Sequence, residues 1–446
     1  MAADTDLDFL ADLIAAARRA GADAADAVLL NQISMSASVR LGETEGVERA
    51  ESGDLGLRVL VGKRQAVASS SDRSPRALAE LVERAVAMAK AAPEDPYCGL
   101  AAPEALTDRV PDLDICDPIE PAPDLLTTRA QEAEDAARAV AGVTNSEGAE
   151  AGWSRTTVAL AASNGFAGAY AVSRHMLSVS VLAGEGTAME RDYDYAVAVH
   201  GDDLDPPDAL GRAAGERAVR RLNPRKAKSA RLPVVYDQRV AGGLVRHLAG
   251  AINGAAIARG TSFLKDRMGE RIFPKAITIR DDPLRARGLA SHPFDGEGIA
   301  GAPRAVIDEG LLTTWFLDLG TARQLGLAST GHAARGTTAP PSPASSNLWM
   351  EAGPLTPEAL IAEIDEGLLV TELIGMGVNA VTGDYSRGAA GFRIEKGEIA
   401  YPVSEITVAG NLSDMYANLT AASDLRFRYG TDAPTLRVDG MTIAGL

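Results

Sequence analysis

The side chains able to hold a metal or attack a substrate are few and poorly spaced in this chain. There are five histidines, His175, His200, His247, His292 and His332. None pairs with another at the i, i+4 spacing with which a helix presents two ligands. His247 is the histidine on the most strongly helical of these stretches. A lone imidazole supplies at most one of the ligands that zinc requires, so a structural or interface role is expected for it. His292-Pro293-Phe294-Asp295 could set an imidazole near a carboxylate, but Pro293 makes the segment a turn and His292 a loop histidine. Cys98 and Cys116 flank a proline-rich segment, too far apart for a Cys-x-x-Cys metal site, and read as unpaired thiols. No Gly-x-Ser-x-Gly nucleophile motif occurs. Gly375-Met376-Gly377 followed by Gly383 lacks the Gly-x-Gly-x-x-Gly spacing of a dinucleotide site and lies late in a β-rich region. The turn Gly383-Asp384-Tyr385-Ser386-Arg387-Gly388 exposes polar groups. Read from its residues alone, it serves the folding of a hairpin.

The elements around His247 are the most informative. Residues 232–236 form a short apolar run with adjacent valines, the pattern of a buried strand. Asp237 can cap a following helix with apolar positions Val240, Leu244, Leu248, Ile252 and Ala255. On that helix Gly243, Gly250 and Gly254 fall in line with His247 and leave one face nearly bare. Each glycine inside a helix costs about 0.8–1 kcal/mol relative to alanine, so the series needs a return. The face is expected to be covered by a nearby backbone, through close helix packing or through a peptide in an open groove.

Just beyond the helix stands Arg259-Gly260-Thr261-Ser262. Together with Ser163-Asn164-Gly165-Phe166, the region 379–393 and the tail Pro434-Thr435-Leu436-Arg437-Val438-Asp439-Gly440, it resembles the TldD/TldE (PmbA) family, sometimes called modulators of DNA gyrase. The resemblance covers nearly the whole chain. TldD members carry a zinc-protease signature, His-Glu-x-x-x-His, ahead of Arg-Gly-Thr-Ser. Counting back from Arg259 places the first His on Val245, the Glu on Arg246 and the second His on Gly250. TldD members also supply a C-terminal Cys ligand, and here no Cys follows Cys116. The chain therefore resembles the TldE/PmbA subunit.

That resemblance implies a non-catalytic subunit of a heteromeric zinc metalloprotease that processes or degrades peptides, including maturation of a modified peptide antibiotic and degradation of an antitoxin. Zinc is expected in the TldD-like partner only, and no cofactor in this chain. The region 375–402 resembles a family segment around the site cleft. Candidate contacts to substrate or partner are His247, Arg259, Thr261, Ser262, Asn379, Asp384 and Ser386. An unfolded or modified peptide could bind by adding a strand to a sheet edge. Two other classes stay open: an autonomous metallopeptidase with an unrecognised site, and a non-proteolytic binding protein acting as a homodimer.

Length and composition bound the rest. At 446 residues, two domains are expected. The formal charge of -17 argues against a nucleic-acid footprint and against anionic membranes. No apolar run reaches the roughly 18 residues of a membrane span. The start, MAADTDLDF, is acidic and unlike a signal peptide, so the cytoplasm is the expected compartment. Aromatics make up only 4%, so Ala, Val, Leu and Ile must fill the core. A helix is predicted over 7–20. Short strands over 27–30, 35–41, 47–50, 55–61 and 65–69 suggest an antiparallel meander. Helices are predicted from Ser74-Pro75, over 124–140 and from Pro206-Pro207. Asn164-Gly165 reads as a type I′ hairpin turn. Leu177, Val179, Val181 and then Tyr193, Tyr195, Val197, Val199 alternate as half-buried strands. The predicted fold class is α+β, with antiparallel sheets and flanking helices in two domains, 1–225 and 232–446. A basic connection, with Arg225, Lys226, Lys228 and Arg231, joins them.

Overall fold

The computed structural model describes residues 2–445; Met1 and Leu446, the outer limits of the two expected domains, lie outside the described residues. The first half contains α1 (Ala2–Arg19), β1 (Ala24–Arg40), β2 (Glu43–Val61), β3 (Arg64–Ser70) and α2 (Pro75–Ala91). The same order then recurs as α3 (Pro123–Arg138), β4 (Val143–Ala162), β5 (Ala167–Ala183), β6 (Glu190–Ala198) and α4 (Pro207–Arg220). The six strands make one antiparallel sheet in the order β3-β2-β1-β4-β5-β6, with the two units meeting at the β1–β4 pair. Long strands let one sheet carry two cores. Leu10, Leu13 and Ala17 of α1 and Leu81, Val82 and Ala85 of α2 cover one part. Leu126, Ala130 and Ala133 of α3 and Leu210, Ala214 and Ala218 of α4 cover the other.

Four of the five expected short strands of the meander merge into two long ones, β1 and β2, while 65–69 is β3 as expected. Polar residues at 31–32 and 52–54 looked like breaks, yet Asn31 pairs with Gly53 and Leu30 with Asp54 without a register shift. The ladder continues because backbone groups, not side chains, make it. The Asn164-Gly165 hairpin exists but is wider than a type I′ turn. Four residues separate β4 and β5, and Gly165 has φ +101° while Asn164 is absent from the positive-φ positions. Asn164 instead accepts a hydrogen bond from the Phe166 amide at 3.2 Å and donates to the Ala101 carbonyl at 3.0 Å. In β6 the more buried side is also unexpected. Asp192 and Asp194 are buried, while Tyr193 and Tyr195 are only half-buried. Arginines on other elements neutralise the two carboxylates, which a strand-alternation rule cannot see.

The second half opens with β7 (Ala230–Tyr236), α5 (Gln238–Ala251) and α6 (Gly254–Ala258). It continues with β8 (Ile279–Asp282), β9 (Arg304–Asp308), β10 (Leu311–Leu312), α7 (Leu319–Leu325), β11 (Ala333–Ala334), β12 (Ser342–Pro343) and β13 (Asn347–Met350). It ends with α8 (Pro357–Ala362), β14 (Glu366–Ile374), β15 (Asp384–Glu395), β16 (Glu398–Asn411), α9 (Leu412–Ala417), β17 (Leu419–Ala421), β18 (Thr431–Asp432) and β19 (Leu436–Ala444). Strands β16-β15-β14-β7-β19 pair in series, and a further β16–β19 pairing closes them into a ring, with β17 attached to β19. A five-stranded sheet, β10-β9-β8-β13-β18, lies beside it. Helix α5 contacts β7 and β14 of the ring and β13 and β18 of that sheet. Its Ala241, Leu244, Val245, Leu248 and Ala251 enter the largest core of the molecule. The fold is thus α+β with antiparallel sheets and helices, as the sequence predicts. Among the described residues no helix is long and apolar enough to cross a membrane. Cys98 and Cys116 are free thiols.

Candidate functional site

Helix α5 begins where the sequence places it. The Asp237 carboxylate accepts the Arg239 amide at 3.0 Å, an N-cap. The end differs from the prediction. The helix stops at Ala251, and Asn253 caps the separate short helix α6 by accepting the Ala255 amide at 3.0 Å. Gly254 therefore leaves the bare face. A Cβ there would meet the Phe316 carbonyl at 2.7 Å and Leu317 at 2.6 Å, so its backbone is tightly covered. Gly243 and Gly250 are the opposite case, with open space where a side chain would stand. Close packing by this chain's own backbone holds at Gly254 and not at Gly243 or Gly250, where the groove alternative stays open. Within this chain, the remaining face is open.

His247 sits on that open face, half-buried, with its ring edge-on to Tyr385 at 6.0 Å between centroids and 77° between planes. Burial holds its imidazole below the usual range, and Arg387 and Arg246 push the same way. Both charged neighbours are cations. Arg246 is exposed, and among the described residues neither Arg246 nor Arg387 has a carboxylate partner. Beneath them, Tyr236 and Tyr385 are fully buried phenols whose hydroxyls have no hydrogen-bonded partner of good geometry. Burial raises the pKa of both, and Arg387 acts against that shift in each. Tyr416, by contrast, donates to the Leu244 carbonyl at 3.1 Å.

The other expected contacts collect beside this helix. The Ser262 hydroxyl is buried and committed to the backbone, donating to the Ala251 carbonyl at 2.6 Å and accepting the Leu264 amide at 3.0 Å. It ties α5 to the segment after α6. Arg259 and Thr261 are exposed around Gly260, whose φ of +68° ends α6. The Phe263 amide donates to the Ala380 carbonyl at 3.0 Å, which brings this segment against the connection between β14 and β15. There Asn379 accepts the Val381 amide at 2.9 Å and folds the turn. Asp384 accepts Thr382 at 2.6 Å and Asn411 at 3.2 Å, and these bonds hold its carboxyl below the usual range. Ser386 has an exposed side chain, and its amide donates to the Gly377 carbonyl at 2.7 Å. Asn379 and Asp384 thus spend their polar groups shaping the turn. Three apolar side chains stand out from it: Ile374 at 59%, Met376 at 98% and Val381 at 55% exposure.

The sequence reading missed Tyr236, Tyr385 and Arg387 as members of the cluster. Tyr236 ends a buried strand, and a buried phenol calls for a polar partner, which is the signal that could have found it. Zinc does not fit here. Val245, at the first ligand position, is 1% exposed in the core, and Gly250 has no donor atom. His247 faces two arginines that would repel a cation. Among the described residues no group of three His, Cys, Asp or Glu side chains gathers as a metal site.

With this geometry in place, three comparisons bear on its meaning. Family models match in succession: PmbA/TldA metallopeptidase domain 1 over 25–89, the central domain over 116–222 and the C-terminal domain over 229–445. The first two matches fall in one continuous sheet. The chain is 41% identical over 426 residues to Metalloprotease PmbA of Escherichia coli O157:H7, covering 95% of this chain and 92% of that one. It is 38% identical over 434 residues to the Metalloprotease PmbA homolog of Haemophilus influenzae, covering 96% and 94%. A crystal structure from Bacteroides thetaiotaomicron, described as a modulator of DNA gyrase, superposes with a TM-score of 0.91 at 28% identity over 100% of both chains. TldE from Thermococcus kodakarensis shares the fold, with a TM-score of 0.85 at 22% identity over 98% and 99%.

Proposed function

The chain belongs to the PmbA/TldD/TldE family of metallopeptidases, and from that premise we propose that it is the zinc-free subunit of a two-component peptidase. A TldD-like partner holds the zinc, and this chain completes the chamber and contacts the peptide. The observation that carries this reading is the state of the two ligand positions. On an uninterrupted helix, residues five apart point about 140° away from each other. Here α5 is uninterrupted from 238 to 251, so position 245 faces the core while position 250 faces out. Two imidazoles at these positions would not converge. The third component fares no better, because Arg246 stands where the signature has its carboxylate base.

The exposed Ile374, Met376 and Val381 on the turn between β14 and β15 support a partner seated there, since isolated surfaces seldom gather apolar side chains without a use. A stable heteromer buries on the order of 2,000 Å² or more. The net charge of -17 supports a soluble protein without nucleic-acid partners, and the cytoplasm is the compartment we assign. Elemental analysis of the purified chain, alone and after co-expression with a TldD-like subunit, tests the proposal. The chain alone carries no stoichiometric zinc, and the co-expressed pair elutes as one zinc-containing heteromer. One tightly held zinc per isolated chain, lost on His247→Ala, overturns it.

A further inference from the structure

The open face of α5 brings together features that a purely structural surface does not need. Gly243 and Gly250 leave room above the helix for a main chain. Near His247 stand Arg246 and Arg387, with no carboxylate paired to either among the described residues. The chain carries 61 acidic and 44 basic residues, and other arginines at this helix and beside it do find carboxylates, Arg239 with Asp192 at 2.8 Å and Arg221 with Glu372 at 2.6 Å. Below them, the buried hydroxyls of Tyr236 and Tyr385 face each other without a hydrogen bond of good geometry. Arg387 spends its Nε on the Ile374 carbonyl at 3.4 Å, and two cations gathered without a counter-charge cost stability unless something negative completes them.

We propose that this face holds the terminal carboxylate of a bound peptide, with Arg387 and Arg246 as its charged partners. The inference rests on the reading of this chain as a peptide-contacting subunit and names the part of the peptide that it grips. Charge-assisted bonds from guanidinium to carboxylate are the stronger kind, and Arg presents its donors in a fixed fork. The space over the two glycines favours the chain end over an acidic side chain. A carboxylate borne on the main chain reaches cations flanking the helix without a spacer. The same field that repels zinc from His247 attracts this anion.

The test is fluorescence anisotropy on the full chain with three short Ala/Ser/Gly peptides, each labelled at its N-terminus. The first has a free C-terminus, the second a C-terminal amide, and the third an amide with one internal Glu. The free acid binds about tenfold tighter than the plain amide, a difference that salt weakens. Arg387→Gln and Arg246→Gln each abolish the preference for the acid over the amide. If Arg387→Gln does not fold, Arg246→Gln, at an exposed position, decides alone. Equal binding of acid and amide overturns the carboxylate assignment while leaving the peptide-contact reading standing. Recovery of tight binding by the Glu-bearing amide overturns the assignment to the chain end. If no peptide binds, the inference and the peptide-contact reading fail together.

Discussion

Glu297 shows how far a single residue can set the pH response of the molecule. Burial lifts its carboxyl to about 8, with Asp295 and Asp318 adding to the shift, while the Leu319 amide and Arg58 oppose it. Asp295 nearby is lifted to about 6, again chiefly by burial. In the unfolded chain a glutamate ionises near its ordinary 4.5. Between 4.5 and about 8 the folded protein therefore holds a proton that the unfolded chain has released. The stability supplied by the neutral carboxyl is fully present below 4.5 and is lost as pH rises toward 8. Urea midpoints measured across this range should fall with pH. Glu297→Gln should flatten the fall, leaving the smaller part due to Asp295. A slope unchanged in the variant would place the titration elsewhere.

At the scale of an element, α5 and its glycines make a paired prediction. Gly250 has helical neighbours and open space, so Gly250→Ala should stabilise by about 0.5–1 kcal/mol. Gly254 is pressed against Phe316, Leu317 and the Thr321 hydroxyl, so Gly254→Ala should cost about 1–3 kcal/mol. Thermal melts of the two variants separate the cases, and equal shifts would mean that the two glycines share one environment. The sequence made α5 legible from Asp237 onward, because a cap and an apolar period are local signals. Its end was not legible. Ile252 continued the apolar period, and the backbone bonds to Phe316, from the Gly254 amide to its carbonyl at 2.8 Å and from its amide to the Ile252 carbonyl at 3.0 Å, divert the chain there together with the Asn253 cap. Helices and hairpins of the first half were likewise readable, whereas the joining of 27–30 with 35–41 depended on a partner strand distant in sequence. The empty ligand positions were readable by counting. The cationic setting of His247 was not, since Arg387 comes from β15, far along the chain.

The whole molecule is held in register by ion pairs across its two halves. Asp192 on β6, 2% exposed, meets Arg239 of α5 at 2.8 Å, and Arg221 joins both Asp192 at 3.5 Å and Glu372 of β14 at 2.6 Å. These contacts fix α5 to the first sheet. Asp192→Asn leaves the arginines partly unpaired in a buried place and should cost about 3–5 kcal/mol. Chemical denaturation measures that loss, and a cost below about 1 kcal/mol would show the pair to be no stronger than a surface one. An assembly so fixed can present one face of α5 to a partner without moving its own core. The central claim is that the chemistry belongs to that partner. The most direct measurement is peptide cleavage, in zinc-containing buffer, by this chain alone, by a TldD-like subunit alone and by the two together. The account predicts no cleavage by this chain alone and cleavage by the pair. Zinc-dependent cleavage by this chain in the absence of any partner would contradict it.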